Sequence, residues 1–222
     1  IGINLIKKID EKCLIIAHYN SSDEKLLELT KVLSNEMVMI QADLSSENEI
    51  LHMLDSIELN YGIPSKIILL AASKVRNIRF KDTLWSDFDR DIKISLKSSV
   101  LILNRFLPKL AKEKKGKVVL MLSSYVLGVP PKALAHYTTI KYALLGLVKS
   151  LSSEYADNNI QINAISPSMI DTKFLTNINE KIIELNSYNH PLKRNALVND
   201  ITPIIKMLIS EDSDYINGIN IP

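Results

Sequence analysis

The chain has 222 residues, 46% of them hydrophobic and 23% charged, with 27 basic against 25 acidic side chains and a net charge of +2. That balance describes one soluble globular domain spanning residues 1–222, and it offers neither the basic excess of a nucleic-acid-binding protein nor an acidic tail. The single cysteine, Cys13, excludes an intrachain disulfide framework, suits a reducing cytoplasm and, opening an apolar run, reads as a small core residue.

In chain order, Ile1 to Ile6 read as a helix already in progress. Short apolar runs follow at Cys13–Ala17, Met37–Ala42, Lys66–Ala72, Lys117–Leu122 and Ile160–Ile165, with a weaker sixth at Tyr215–Ile221. Runs this short and this rich in Ile, Val and Leu suit strands buried on both faces, as in a parallel sheet. Between Trp85 and Leu110 the apolar residues Trp85, Phe88, Ile92, Leu96, Val100, Leu103, Leu107 and Leu110 recur every three or four positions, which predicts one helix with one apolar stripe. Pro108 should bend it near its end, and Lys112 to Lys117 reads as a solvated turn. Strand and helix alternate throughout, so the expected architecture is a doubly wound, Rossmann-type parallel sheet with helices on both faces and a ligand site at the carboxyl ends of its strands. No run approaches the roughly 18 to 20 apolar residues of a membrane span, and no signal-peptide pattern is visible; a cytoplasmic protein without membrane partners is expected.

The chemistry concentrates after the fourth clear run. Ser123 and Ser124 end it, a Gly128-Val129-Pro130-Pro131 loop follows, and Tyr137 and Lys141 lie one helical turn apart on one face. Free tyrosine has a pKa of about 10, and an ammonium nearby favours the phenolate, so Lys141 is expected to tune Tyr137 for proton transfer. Ser124, at the strand end, would hydrogen-bond the substrate oxygen that Tyr137 protonates.

With these intervals the sequence resembles the classical short-chain dehydrogenase/reductase family, which places a serine thirteen residues before its tyrosine and a lysine four after it, as Ser124, Tyr137 and Lys141 stand here. Ile160 to Thr172 is similar to the family's sixth strand and the loop that holds the nicotinamide carboxamide, implying cofactor contacts at Pro167, Ile170 and Thr172. Gln41-Ala42-Asp43-Leu44 resembles the segment whose carboxylate contacts adenine, and Ser213 to Gly218 the entry to the last strand. The resemblance implies hydride exchange between a nicotinamide cofactor and a carbonyl or alcohol carbon, with Tyr137 delivering the proton and Lys141 also holding ribose hydroxyls.

The departures are informative. Of the family's glycine-rich first turn only Ile1-Gly2 remains, both expected at the cofactor, and without an initiating methionine an N-terminal strand and its glycines are expected to precede Ile1. The Asn-Asn-Ala-Gly motif reads Leu69-Leu70-Ala71-Ala72; Ala71 and Ala72 still let the cofactor approach the backbone, while a bracing asparagine is lost, at a cost in stability. Ser95 stands where the family has an asparagine in its proton relay, a contact made largely through the main-chain carbonyl of a distorted turn, and Ser168 replaces a glycine after Pro167.

Tyr19 occupies the position of the acid that binds the ribose 2′-hydroxyl in NAD-preferring sites, and Asn20 and Ser21 are suited to donate to a 2′-phosphate, so NADP is favoured over NAD. His18, His52, His136 and His190 lack metal-ligand spacing, and His136, beside Tyr137, reads as a pocket-rim residue in preference to a proton shuttle. Phe174 to His190 falls where the family carries its mobile substrate lid. The resemblance implies a small-molecule substrate, in the commonest bacterial relatives a 3-oxoacyl thioester on a carrier protein. A sugar or nucleotide-sugar substrate and a catalytically silent cofactor-binding scaffold stay open. It also implies a homodimer or homotetramer formed through the Trp85–Leu110 and Tyr137–Ala156 helices.

Overall fold

A computed structural model describes residues 1–172, 175–176 and 178–222, and among these six strands alternate with eight α-helices. The helices are α1 (Gly2–Lys7), α2 (Glu24–Thr30), α3 (Glu47–Tyr61), α4 (Trp85–Asp91), α5 (Ser98–Glu113), α6 (Ala135–Glu154), α7 (Glu180–Asn189) and α8 (Val198–Leu208). Strands β1 (Ile15–Tyr19) and β2 (Met37–Gln41) pair in parallel. Strands β3 (Lys66–Leu69), β4 (Gly116–Met121), β5 (Ile160–Ile165) and β6 (Asn220–Ile221) form a four-stranded parallel sheet in sequence order. The expected parallel α/β architecture is present, with strand ends displaced from the apolar runs by one to three residues in β1 to β4, by five at the start of β6, and not at all in β5.

The unbroken apolar runs make sense because both faces of the sheet are covered. Along β4, Val118 and Leu120 enter a core shared with Ile50 and Leu54 of α3, Leu103, Phe106, Leu107 and Leu110 of α5 and Leu144 and Val148 of α6. The alternate residues Val119 and Met121 enter a second core with Leu5 of α1 and Ile201, Ile205 and Leu208 of α8. The two-residue period of a strand thus supplies both layers from one segment, and each fully buried Leu or Val contributes about 1.5 to 3 kcal/mol. Leu69 and Leu70, where the family has asparagines, pack against the first and second core respectively. Apolar packing takes the place of the missing amide there.

The Trp85–Leu110 stripe holds only in its second half. Leu103, Leu107 and Leu110 are buried, but Trp85 is 74% and Val100 41% exposed. A π-helical turn, Ile92–Lys97, separates α4 from α5. Such a turn adds residues to one helical revolution and shifts the phase of everything beyond it. The helix continues past Pro108 to Glu113. Cys13 lies before β1 and is only partly buried, its N–H donating to Asn35 Oδ1, so it is not a core residue. Lys117 is likewise no part of a solvated turn: it is buried in β4, with its ammonium 2.5 Å from Asp214 Oδ1.

Candidate active site

The carboxyl ends of β3, β4 and β5 open into one cavity of about 480 Å³. Tyr137 and Lys141 reach it from the first turns of α6, and Ser123 and Ser124 from the end of β4. The loop after β5 closes one side with Pro167, Ile170 and Thr172. It is tied to the loop after β4 by the Ser124 N–H, which donates to Pro167 O at 2.9 Å. Ile1, Gly2 and Ala72 line the same cavity. Val75, Tyr125, Leu134, Ile178 and Ile182 give the lining an apolar stretch beside Tyr137.

Lys141 is 2% exposed, and its ammonium donates to the carbonyl of Met121, the last residue of β4, at 2.8 Å. The same Nζ lies 5.5 Å from the centroid of the Tyr137 ring. Burial disfavours the charged amine and brings it down to about 8, with the Asp91 carboxylate opposing the fall. Tyr137 moves the other way. Burial pushes its phenol up to about 12, a hydrogen bond with Ser123 favours the phenolate, and Tyr125 and Asp91 add to the rise. Tyr137 is therefore not brought towards neutrality as expected: removal from water dominates, and the hydrogen bond with Ser123 is what pulls the other way. At neutral pH the site holds a protonated phenol beside an ammonium, an arrangement suited to giving a proton rather than taking one.

The other sequence candidates are distributed unevenly. The hydroxyl that hydrogen-bonds Tyr137 belongs to Ser123, buried at the strand end, while Ser124 lines the cavity one residue on. Counting intervals points to Ser124; the adjacent Ser-Ser pair was the only signal that its neighbour could serve. Ser95 is buried in the π-helical turn, outside the cavity lining, and its carbonyl accepts from Ser99 Oγ at 2.6 Å. Asn20, Ser21, Asp43, Leu44 and Ala71 also lie outside the lining, at or just beyond the carboxyl ends of β1, β2 and β3. Asp43 Oδ1 accepts the Ser45 N–H at 2.8 Å, and the Leu44 side chain belongs to the first core. His136 is not a rim residue: it is fully buried beside Asp91. Phe174, first residue of the expected lid, lies outside the described residues, while Ile178 and Ile182 from that segment do line the cavity. Among the described residues no group of three His, Cys, Asp or Glu side chains is placed to hold a metal ion, and no helix is long and apolar enough to cross a membrane.

Residues 9–222 match the family model described as enoyl-(acyl carrier protein) reductase. The chain is a short-chain dehydrogenase/reductase. Its curated relatives include the 3-oxoacyl-(acyl-carrier-protein) reductase FabG of Rickettsia prowazekii, 28% identical over 220 residues that cover 96% of this chain and 85% of the relative. The same enzyme of Buchnera aphidicola is 27% identical over 190 residues, covering 86% and 77%. Among solved structures, levodione reductase superposes with a TM-score of 0.87 at 22% identity, covering 100% of this chain and 90% of that one. NAD+-bound xylitol dehydrogenase gives 0.85 at 21%, covering 99% and 91%. As a member of this family the protein is an NAD(P)-dependent oxidoreductase acting on CH–OH or C=O groups.

The residues present fit a nicotinamide cofactor. The cavity sits where an open parallel sheet takes ligands, beyond the carboxyl ends of its strands. Gly2, with no side chain, and Ala72, with only a methyl, line it. The buried Lys141 offers a cation with donors beyond the one given to Met121.

Proposed function

We propose that this enzyme reduces the carbonyl of an apolar, acyl-type substrate with NADPH, a 3-oxoacyl thioester being the form that best suits the site. One observation carries the reading: a protonated, buried phenol lines a cavity whose apolar wall includes Val75, Leu134, Tyr125, Ile178 and Ile182, most of them packed around Tyr137 itself. An alkyl chain gains from such a wall about 0.8 kcal/mol per buried CH₂, whereas a polyol would leave its hydroxyls unpaired against it. The FabG relatives, named for carrier-protein-bound 3-oxoacyl groups, support the same class.

In this reading Ser123 and Ser124 hold the substrate oxygen and Tyr137 gives it a proton. When bound, the nicotinamide supplies the hydride. Lys141 stabilises the phenolate that Tyr137 becomes and holds cofactor hydroxyls, while the backbone near Ile170 and the Thr172 side chain hold the carboxamide. Ile1, Gly2, Ala71, Ala72 and Pro167 flank the cofactor, with Asp43 and Leu44 beside its adenine. Ser95 acts through its carbonyl at the π-helical turn. Asn20 and Ser21, exposed after β1, favour the 2′-phosphate of NADP over NAD. Val100 and Tyr142, exposed on α5 and α6, are placed to pair subunits as a homodimer or homotetramer in the cytoplasm.

The test is a turnover panel of the full chain with NADPH or NADH against a 3-oxoacyl thioester, a cyclic ketone and a ketose. The thioester with NADPH should give the highest kcat/KM. A ketose preferred over the thioester would move the assignment to sugar substrates, and cofactor binding without consumption by any substrate would make the protein a scaffold.

A further inference from the structure

His136 immediately precedes Tyr137, yet its side chain faces away from the cavity. Successive helical residues point about 100° apart, so whatever fixes one of these side chains fixes the rotation of the other. The His136 imidazole is fully buried. Its Nε2 lies 3.0 Å from the carbonyl oxygen of Arg76 and its Nδ1 2.6 Å from Asp91 Oδ2. A carbonyl carries no proton, so Nε2–H must donate. The Asp91 carboxylate accepts on its other oxygen from the Ser73 hydroxyl, which leaves Oδ2 to take a proton from Nδ1. Both ring nitrogens are assigned protons from these partners.

The first turn of α6 lacks a cap of its own. Leu134 at the N-cap makes no side-chain cap bond, and no acidic residue stands in the first turn. The chain enters through Ala133 at φ +68°, whose carbonyl accepts the Ile78 N–H at 2.9 Å. Residues 73–78 therefore run along the first turn of α6 and are fastened to it by the Ile78 N–H, the Arg76 carbonyl and, through Asp91, the Ser73 hydroxyl. Val75 from this segment packs with Leu134 and Tyr137. Asp91 is the last residue of α4, directly before the π-helical turn.

We propose that Ser73, Asp91 and His136 form a buried charged clamp that sets the rotation of the first turn of α6, and with it the place of the Tyr137 hydroxyl. They are positioning residues for proton delivery. This rests on the reductase reading given above. A buried ion pair is expensive to desolvate, and an apolar filling of equal shape would hold a helix as firmly. What the charge adds is direction and electrostatics: the clamp accepts one geometry, and its carboxylate is felt at Lys141, which it helps to keep charged. The other charged groups beside the clamp are Arg90, whose Nε lies 3.8 Å from Asp91 Oδ1, the Arg76–Asp87 ion pair, and Lys141 on α6.

Asp91→Asn keeps the size and the acceptor for Ser73 while removing the charge. In the full-length chain it is expected to lower kcat at least about tenfold, with substrate KM and cofactor affinity within about twofold, since a group acting only in the chemical step leaves ground-state binding alone. The alkaline limb of its pH–kcat profile should move to lower pH, because Lys141 loses the anion that supports its charge. An independent reading comes from nitrogen-15 NMR of the wild-type chain, in which His136 should show both ring nitrogens carrying the protons given to Arg76 O and Asp91 Oδ2. A neutral imidazole there overturns the clamp, whether or not Asp91→Asn folds. So does an Asp91→Asn enzyme with unchanged kcat and limb. A wild-type chain that consumes no NADPH ends the reductase reading and the clamp's role in proton delivery together; one that turns over while Asp91→Asn behaves identically ends the clamp alone.

Discussion

Raising the pH should act in opposite senses on the two directions of the reaction. With the Tyr137 phenol at about 12, roughly one molecule in 10⁵ carries phenolate near pH 7, a handicap of about 7 kcal/mol for any step that needs Tyr137 as a base. Carbonyl reduction has no such handicap, because it uses the phenol as it stands. Reduction instead depends on Lys141, whose charge faces the phenolate formed when the proton leaves. Taking the 5.5 Å from Lys141 Nζ to the centre of the Tyr137 ring as the charge separation, at an effective dielectric of about 20 that attraction is worth about 3 kcal/mol, or roughly 10²-fold in rate. Since burial brings Lys141 down to about 8, kcat/KM for reduction should be level below about pH 7 and fall about 10²-fold as pH rises through 8 towards 10. Alcohol oxidation should climb over the lower part of that range. Both are measured from the absorbance of the reduced nicotinamide under matched ionic strength. Reduction that is level or rising through pH 8 would refute the reasoning, for it would mean that Lys141 is neutral throughout or contributes no charge to the step.

Three further outcomes follow from the same contacts. Lys141→Met should abolish most turnover yet raise stability by about 2 kcal/mol near pH 7 in urea unfolding; burial lowers the amine from 10.5 to about 8, so the folded state carries a charge it disfavours, and wild-type stability should rise with pH between those values. Ser123→Ala should cost more in kcat than Ser124→Ala, by about fivefold, because Ser123 is the serine that bonds the Tyr137 phenol; steady-state kinetics of the two variants decides it. Gly218→Ala should destabilise by about 2 kcal/mol or more, since its φ is +70° and the new Cβ would lie 2.7 Å from Ser152 Oγ; adding Ser152→Ala should recover the steric part alone in thermal melts.

What the sequence made legible was what depends on local pattern. Ile160–Ile165 is read to the residue because apolar residues stand at both of its ends, and the polar Gln161 and Asn163 within it are buried with them. The Trp85–Leu110 stripe fails at Val100 because a π-helical turn leaves no signature in a three-or-four spacing. His136 is misread for a different reason: its partners Arg76 and Asp91 are 60 and 45 residues away, and a buried pair cannot be seen from one member. Interval counting locates Tyr137 and Lys141 on one helical face but cannot choose between two adjacent serines, whose directions depend on where β4 ends at Met121. The direction of the Tyr137 shift was equally hidden, since it is set by burial from several segments and not by the one lysine visible four residues on.

The central claim, that Tyr137 gives the proton, is tested most directly by comparing wild type with Tyr137→Phe under single-turnover conditions with NADPH and a 3-oxoacyl thioester. The substitution keeps the buried ring and removes only the hydroxyl. Turnover should fall by about 10³-fold or more while cofactor affinity stays within about twofold. A Tyr137→Phe enzyme that oxidises NADPH as fast as wild type would contradict the account.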